Sequence, residues 1–192
     1  MKKKSFRGAM VLVLVFWMGV GAMAAPTFQE GGKLPEFKLP VPSEEEHQEY
    51  LGLTGKGDFE LEEIDAEVVI IEIFSMYCPH CQREAHKINT LYELIGQQEG
   101  LQKKVKLIGI GAGNSAFEVN IFRETYQVPF PLFADEDFAI HKALGEIRTP
   151  YFIGMKLKNG GHEIFYAELG GFESAEDFLE LVLKRSGLKE GQ

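Results

Sequence analysis

An apolar run, Val68-Val69-Ile70-Ile71-Glu72-Ile73-Phe74, leads through Ser75-Met76-Tyr77 into Cys78-Pro79-His80-Cys81 and then into a segment of helical periodicity. No other stretch limits the fold so strongly. A β-branched run broken by a single carboxylate predicts a strand covered on both faces, the kind found where helices pack on a largely parallel sheet. From Pro79 to about Gln98, Ala85, Ile88, Leu91, Leu94 and Ile95 recur at helical spacing, with Gly96 or Gly100 as the stop. Cys78 and Cys81 therefore fall on the first turn of a helix. Residues i and i+3 share a face there, so the two sulfurs can close a small disulfide or lie side by side as thiols.

That position also sets their chemistry. Unpaired N–H groups and the positive end of the helix dipole favour a thiolate at Cys78, and Pro79 suits the first helical position because its missing N–H has no partner to lose. Cys78 is the candidate attacking thiolate, and Cys81, one turn in, the candidate resolving thiol. A protonated His80 would add positive charge beside the sulfur, favouring the reduced form; the plainer reading is a solvent-facing spacer. These are the chain's only cysteines. One pair this close is a poor strut, since closing so short a loop adds little stabilisation, and zinc would need further ligands at suitable spacing. No metal or cofactor is expected.

The chain has 192 residues, 45% of them hydrophobic, enough for one domain with a substantial core. Lys2, Lys3, Lys4 and Arg7 precede an apolar stretch from Ala9 to Val20, and Ala22-Met23-Ala24 gives the small-x-small pattern of a signal peptidase site. The expectation is an exported, periplasmic protein with a signal peptide over 1–24. An uncleaved anchor is the rival, weakened because Met10 to Ala25 falls short of the roughly 20 residues a spanning helix needs. Losing the leader's four basic residues takes the formal charge from -9 to -13. Such an acidic surface disfavours nucleic acid and anionic lipid as partners; a membrane is involved only if the leader stays as an anchor.

Residues 25–57 read as a linker and N-terminal extension, and 58–188 as the main domain. Leu34-Pro35-Glu36-Phe37-Lys38-Leu39-Pro40 is a proline-bracketed edge ribbon, Ser43 to Tyr50 an acidic helix, and Gly52, Gly55 and Gly57 mark a loop. Phe59 to Ile64 alternates apolar and acidic residues, as a half-buried strand does. Strands follow at Val105–Ile110, Phe130–Asp135, Tyr151–Met155 and Glu163–Leu169, the last two joined by a tight Asn159-Gly160-Gly161 turn. Helices are expected at Ser115–Tyr126, with Phe117, Ile121 and Phe122 on one face, at Phe138–Leu144, and after Ser174, which has Asp177 at the capping-box position. Gly111-Ala112-Gly113-Asn114-Ser115-Ala116 with Asp135 satisfies a dinucleotide pattern, but no second nucleotide-binding half accompanies it, and a strand-to-helix turn explains the glycines. His47, His86, His141 and His162 show no ligand spacing and read as surface residues.

The order strand, helix, strand, helix, strand, strand, helix, with Cys-x-x-Cys at the first crossover, resembles exported thioredoxin-like proteins of the TlpA and ResA type, within the wider redoxin group. The likeness covers Leu34 to the last helix and rests on four marks: Cys78-Pro79-His80-Cys81, Thr149-Pro150 at the head of the hairpin, Leu34-Pro35-Glu36-Phe37, and Glu84 three residues past the second cysteine. It implies an α/β thioredoxin-like fold, a central mixed sheet flanked by helices, with an N-terminal extension and an extra strand-helix insertion. Two departures stand out. Tyr77 replaces a common tryptophan, and Pro79-His80 is the dipeptide associated with the oxidising DsbA type.

The resemblance implies a cis Pro150 shaping the substrate groove, together with Tyr77 and Pro79, and Thr149 offering backbone groups to an extended peptide. Glu72 stands where thioredoxins carry a buried acid beneath the disulfide; it is either a proton carrier for Cys81 or a structural carboxylate paired with a lysine. Glu84 is a second acid of the site, or an ordinary helix residue. The expected function is thiol–disulfide exchange with protein thiol or disulfide substrates and a redox partner protein, in the reductive direction that the resemblance implies. The alternatives are a DsbA-like oxidase, a thiol peroxidase, and a binding module without catalysis.

Overall fold

The computed structural model describes residues 28–158 and 160–188. The expected leader, and Asn159 of the hairpin turn, lie outside them. Strand β1 (Leu39–Pro40), helix α1 (Glu45–Leu51) and strand β2 (Asp58–Phe59) form the N-terminal extension, β1 and β2 pairing antiparallel. The fully buried β3 (Val68–Phe74) follows, then α2 (Pro79–Gln97), the short α3 (Leu101–Lys104), β4 (Val105–Ala112), α4 (Ala116–Tyr126), β5 (Leu132–Asp135) and α5 (Ala139–Ala143). The hairpin β6 (Tyr151–Lys158) and β7 (Gly161–Leu169) and helix α6 (Ala175–Ser186) are the last elements among the described residues.

The main sheet has the order β5-β4-β3-β6-β7, with β3 parallel to β4 and antiparallel to β6. This is the mixed, helix-flanked α/β sheet of a thioredoxin-like fold, and β5 with α5 forms the extra strand-helix unit. Successive side chains of a strand point to opposite faces, so β3 feeds two cores. Val68, Ile70 and Phe74 pack with α2, α6 and the inner side of α4. Val69, Ile71 and Ile73 pack with Leu34, Leu39, Leu51 and Phe59 and with Ile140 of α5. Glu72 is in phase with the first set, which aims its carboxylate beneath α2.

Three local expectations need correction. Residues 59–64 do not extend as a strand: pairing stops at Phe59, and Leu61–Glu63 forms a 3-10 turn. Its antiparallel partner β1 begins at Leu39, directly opposite Phe59, so the ladder has no strand to continue along, and the Glu63 carboxylate takes the Glu60 N–H at 2.6 Å. On α4 the buried stripe is Val119 and Phe122, whereas Phe117 is 74% exposed. Five residues separate Phe117 from Phe122, about 140° around a helix, so one neighbour cannot cover both. His162 is buried, because the β6–β7 hairpin carries it against the extension, where its Nε2 accepts the Leu34 N–H at 2.7 Å.

The dinucleotide-like glycines make a turn. Gly113 has φ +65°, and the Asp135 carboxylate accepts the N–H groups of Ile140 and His141 at the start of α5. Of the two candidate stops for α2, the helix runs through Gly96, and Gly100, at φ +77°, turns the chain.

Candidate active site

Beyond Phe74 the chain leaves the sheet and turns tightly, the Cys78 N–H bonding to the Ser75 carbonyl at 3.0 Å. Cys78 becomes the N-cap of α2 and Pro79 its first residue. The Cys81 N–H points at the Cys78 sulfur, 3.5 Å away, so the helix terminus directs a main-chain donor at the first cysteine. Both cysteines are free thiols, Cys78 partly exposed and Cys81 fully buried.

The Thr149–Pro150 peptide bond is cis and lies against this pair: the Cys78 thiol donates to the Thr149 carbonyl at 3.4 Å. Pro150 is buried, and its carbonyl accepts the Gly170 N–H at 2.9 Å, fastening the loop after β7 to the head of β6. Tyr77 and Pro79 are exposed beside the sulfur. The Tyr77 hydroxyl donates to the Glu118 carboxylate, which also accepts from the Ser115 N–H and hydroxyl in the capping box of α4. The turn before the cysteines is thereby tied to the start of the next helix.

The two thiols are pushed in opposite directions. Burial by itself raises the Cys78 thiol, but the Thr149 side chain and the Cys81 and His80 main-chain groups outweigh it and hold the thiol below its ordinary value. Burial drives Cys81 far up. Near neutral pH the outer sulfur is therefore the better nucleophile and the inner one keeps its proton. The His80 ring faces solvent, and its Nδ1 meets the Arg83 guanidinium at 2.7 Å. Arginine can only donate, so that nitrogen accepts and the ring is neutral in this arrangement. His80 acts on Cys78 through its backbone.

Beneath the cysteines lie two carboxylates. Burial, then the nearby Glu84 charge, then Cys78, push Glu72 up to about 8. One Glu72 oxygen, Oε1, is buried without a hydrogen-bond partner, which suits a protonated acid better than a carboxylate. Glu84, on the helix turn after Cys81, turns inward: Oε1 accepts from the Lys87 ammonium at 3.0 Å, while Oε2 is buried without a partner. Lys87 also donates to the Phe172 carbonyl at 2.6 Å. The lysine of this cluster thus pairs with Glu84, not Glu72.

The fold therefore brings Cys78, Cys81, Thr149, Pro150, Glu72 and Glu84 together, with Tyr77, Pro79 and His80 on the rim. Lys87, Glu118, Gln82 and Asn114 also contact this region and do not stand out in the sequence. For Asn114 a signal was available: a polar residue behind a positive-φ glycine at a strand exit is placed to bond to a neighbouring loop. Among the described residues, no group of three or more His, Cys, Asp or Glu side chains gathers as a metal site.

Comparison with known proteins agrees with this geometry. The AhpC/TSA family profile matches residues 31–161. A thiol-disulfide oxidoreductase ResA from Halalkalibacterium halodurans is 29% identical over 125 residues, 64% of this chain and 66%, just under two thirds, of the relative. A thiol-disulfide oxidoreductase ResA from Bacillus thuringiensis subsp. konkukian is 25% identical over 150 residues, 78% of this chain and 81% of the relative. Among solved structures, StoA from Bacillus subtilis superposes with a TM-score of 0.55 at 19% identity, covering 77% of this chain and 96% of that one.

Proposed function

The chain belongs to the AhpC/TSA family, and from that premise we propose that it is an exported thiol–disulfide oxidoreductase that reduces disulfides of protein substrates through Cys78 and Cys81. The observation that carries this reading is the division of labour between the sulfurs. One is partly exposed, held below the ordinary thiol range and aimed at by a helix terminus, while its mate is buried, protonated and one turn behind.

The chemistry follows in two displacements. The Cys78 thiolate attacks one sulfur of a substrate disulfide; the substrate S–S bond breaks, a mixed disulfide forms, and the departing substrate thiolate takes a proton. Cys81 then loses its proton to an ionised Glu72 and attacks the Cys78 sulfur, releasing the second substrate thiol and leaving the Cys78–Cys81 disulfide. A value near 8 leaves Glu72 a usable ionised fraction at neutral pH and makes it a competent acceptor. Two electrons pass to the substrate, and a partner dithiol protein returns them.

In this reading Thr149 and Pro150 present the groove for the substrate backbone, Tyr77 and Pro79 line its rim, and Glu84 tunes Glu72. The working domain is 58–188, preceded by a linker and N-terminal extension over 25–57, whose described part packs on it through Leu34, Leu39, Leu51 and Leu53. The basic, apolar leader and the small-x-small site support a periplasmic location; among the described residues no helix is long and apolar enough to cross a membrane.

The depressed Cys78 thiol favours the reduced form and so supports, as a second reading, a DsbA-like oxidase working in the opposite direction. Equilibration of the purified protein with glutathione separates the two. A Cys78/Cys81 potential near the roughly -270 mV of thioredoxin fits the reductase; one near the roughly -120 mV of DsbA overturns it in favour of the oxidase.

A further inference from the structure

The three residues between β3 and the first cysteine lie beyond the sheet, whose pairing stops at Phe74. At Met76 both main-chain groups are nevertheless held, each by a side chain from a different element. The Met76 N–H donates to Asn114 Oδ1 at 2.8 Å, and the Met76 carbonyl accepts from Gln82 Nε2 at 2.8 Å. Asn114 belongs to the turn leaving β4, and Gln82 to the first turn of α2 directly after Cys81.

Asn114 is wholly buried, and its Nδ2 donor has no partner. Leaving such a donor unsatisfied costs about 1–3 kcal/mol, a cost an apolar side chain of similar size would not carry. What the amide contributes here is its bond to Met76. The turn that carries Asn114 is shaped for it: the Asn114 N–H bonds to the Gly111 carbonyl at 3.1 Å, and a Cβ on Gly111 would come within 3.2 Å of the Asn114 side chain.

The distances around Cys78 show why the grip on Met76 matters. Its sulfur reaches the Cys81 N–H at 3.5 Å and the Thr149 carbonyl at 3.4 Å, so the backbone at 76–78 has little slack before these contacts weaken. We infer that Asn114 and Gln82 are a pair of positioning residues which grip the Met76 peptide groups from both sides and thereby fix the reactivity of the Cys78 sulfur. The inference deepens the oxidoreductase reading and rests on it.

The test is alkylation of the reduced full chain by iodoacetamide between pH 5 and 10, with adducts assigned to Cys78 by mass spectrometry, in the wild type, Gln82→Leu, Asn114→Ala and the double variant. Released from either side, the turn relaxes and Cys78 behaves more like free cysteine. The expected result is a profile displaced to higher pH, with roughly tenfold slower labelling near pH 6.5 in each single variant. The double variant should show less than the summed shift, since both side chains act on one peptide segment. Gln82 is only half buried on a helix, so Gln82→Leu decides the matter if Asn114→Ala does not fold. Profiles that coincide with the wild type, even with a lowered melting temperature, overturn the inference. A wild-type Cys78 that itself titrates as free cysteine overturns the oxidoreductase reading instead, and needs no substrate to be seen.

Discussion

Gly171 and Glu84 are fitted to one another: a Cβ at position 171 would stand 1.9 Å from the Glu84 carboxyl carbon. The loop after β7 thus leaves an opening through which the helix carboxylate turns inward, toward Glu72. Gly171→Ala should fill that opening and turn the end of Glu84 outward to solvent. The carboxylate is the flexible end of a side chain, so the fold should survive with little loss of stability. Glu72, relieved of a neighbouring negative charge, should titrate lower than in the wild type. Carbon-13 NMR titration of the side-chain carboxyls checks this; an unmoved Glu72 would show that the two acids do not sense each other.

Glu72 should also leave a mark on stability. Its folded value, about 8, lies well above that of an exposed carboxylate, so between about pH 4.5 and pH 8 the folded chain holds a proton that the unfolded chain has released. Stability from this group is therefore full below that window and declines as pH rises through it, by an amount on the order of a few kcal/mol. Glu72→Gln should remove the decline. Urea unfolding of both reduced proteins from pH 5 to 8.5 should give curves that separate with pH, the variant becoming the more stable. Parallel curves would place Glu72 in an ordinary, solvated setting.

Much of this was legible in the sequence. The strand Val68–Phe74 and the helix from Pro79 read correctly because their periodicities are long and unambiguous, and the reading of Glu72 as an anomaly needed only its place in an apolar run. What could not be read was set by contacts distant in the chain. Phe59–Ile64 alternates like a strand, yet its partner is two residues long and begins at Leu39, opposite Phe59, leaving 60–64 nothing to pair with. His162 looks like a surface residue until the hairpin folds it onto Leu34. His80 looks like a charge beside Cys78 until Arg83 claims its ring.

His162 ties three segments together. Leu34 N–H donates to its Nε2, so its proton is on Nδ1, facing Glu62 Oε1 at 2.5 Å. His162→Leu would leave the buried Leu34 N–H without an acceptor, at a cost of about 1–3 kcal/mol. The extension should then become the first part of the chain to exchange its amide hydrogens, while Cys78 reactivity stays at its wild-type level. Unchanged protection at Leu34 would show that the bond contributes nothing to holding the extension down.

The outer position of Cys78 and the inner position of Cys81 make the most direct test a covalent one. Reduced Cys81→Ala, mixed with a disulfide-bonded protein such as insulin, should stall as a mixed disulfide through Cys78 that a thiol reductant releases. Cys78→Ser should form no adduct, and the wild type should complete the reduction and end with the Cys78–Cys81 disulfide. An adduct through Cys81 in Cys78→Ser, or none in Cys81→Ala, would contradict the assignment of Cys78 as the attacking sulfur.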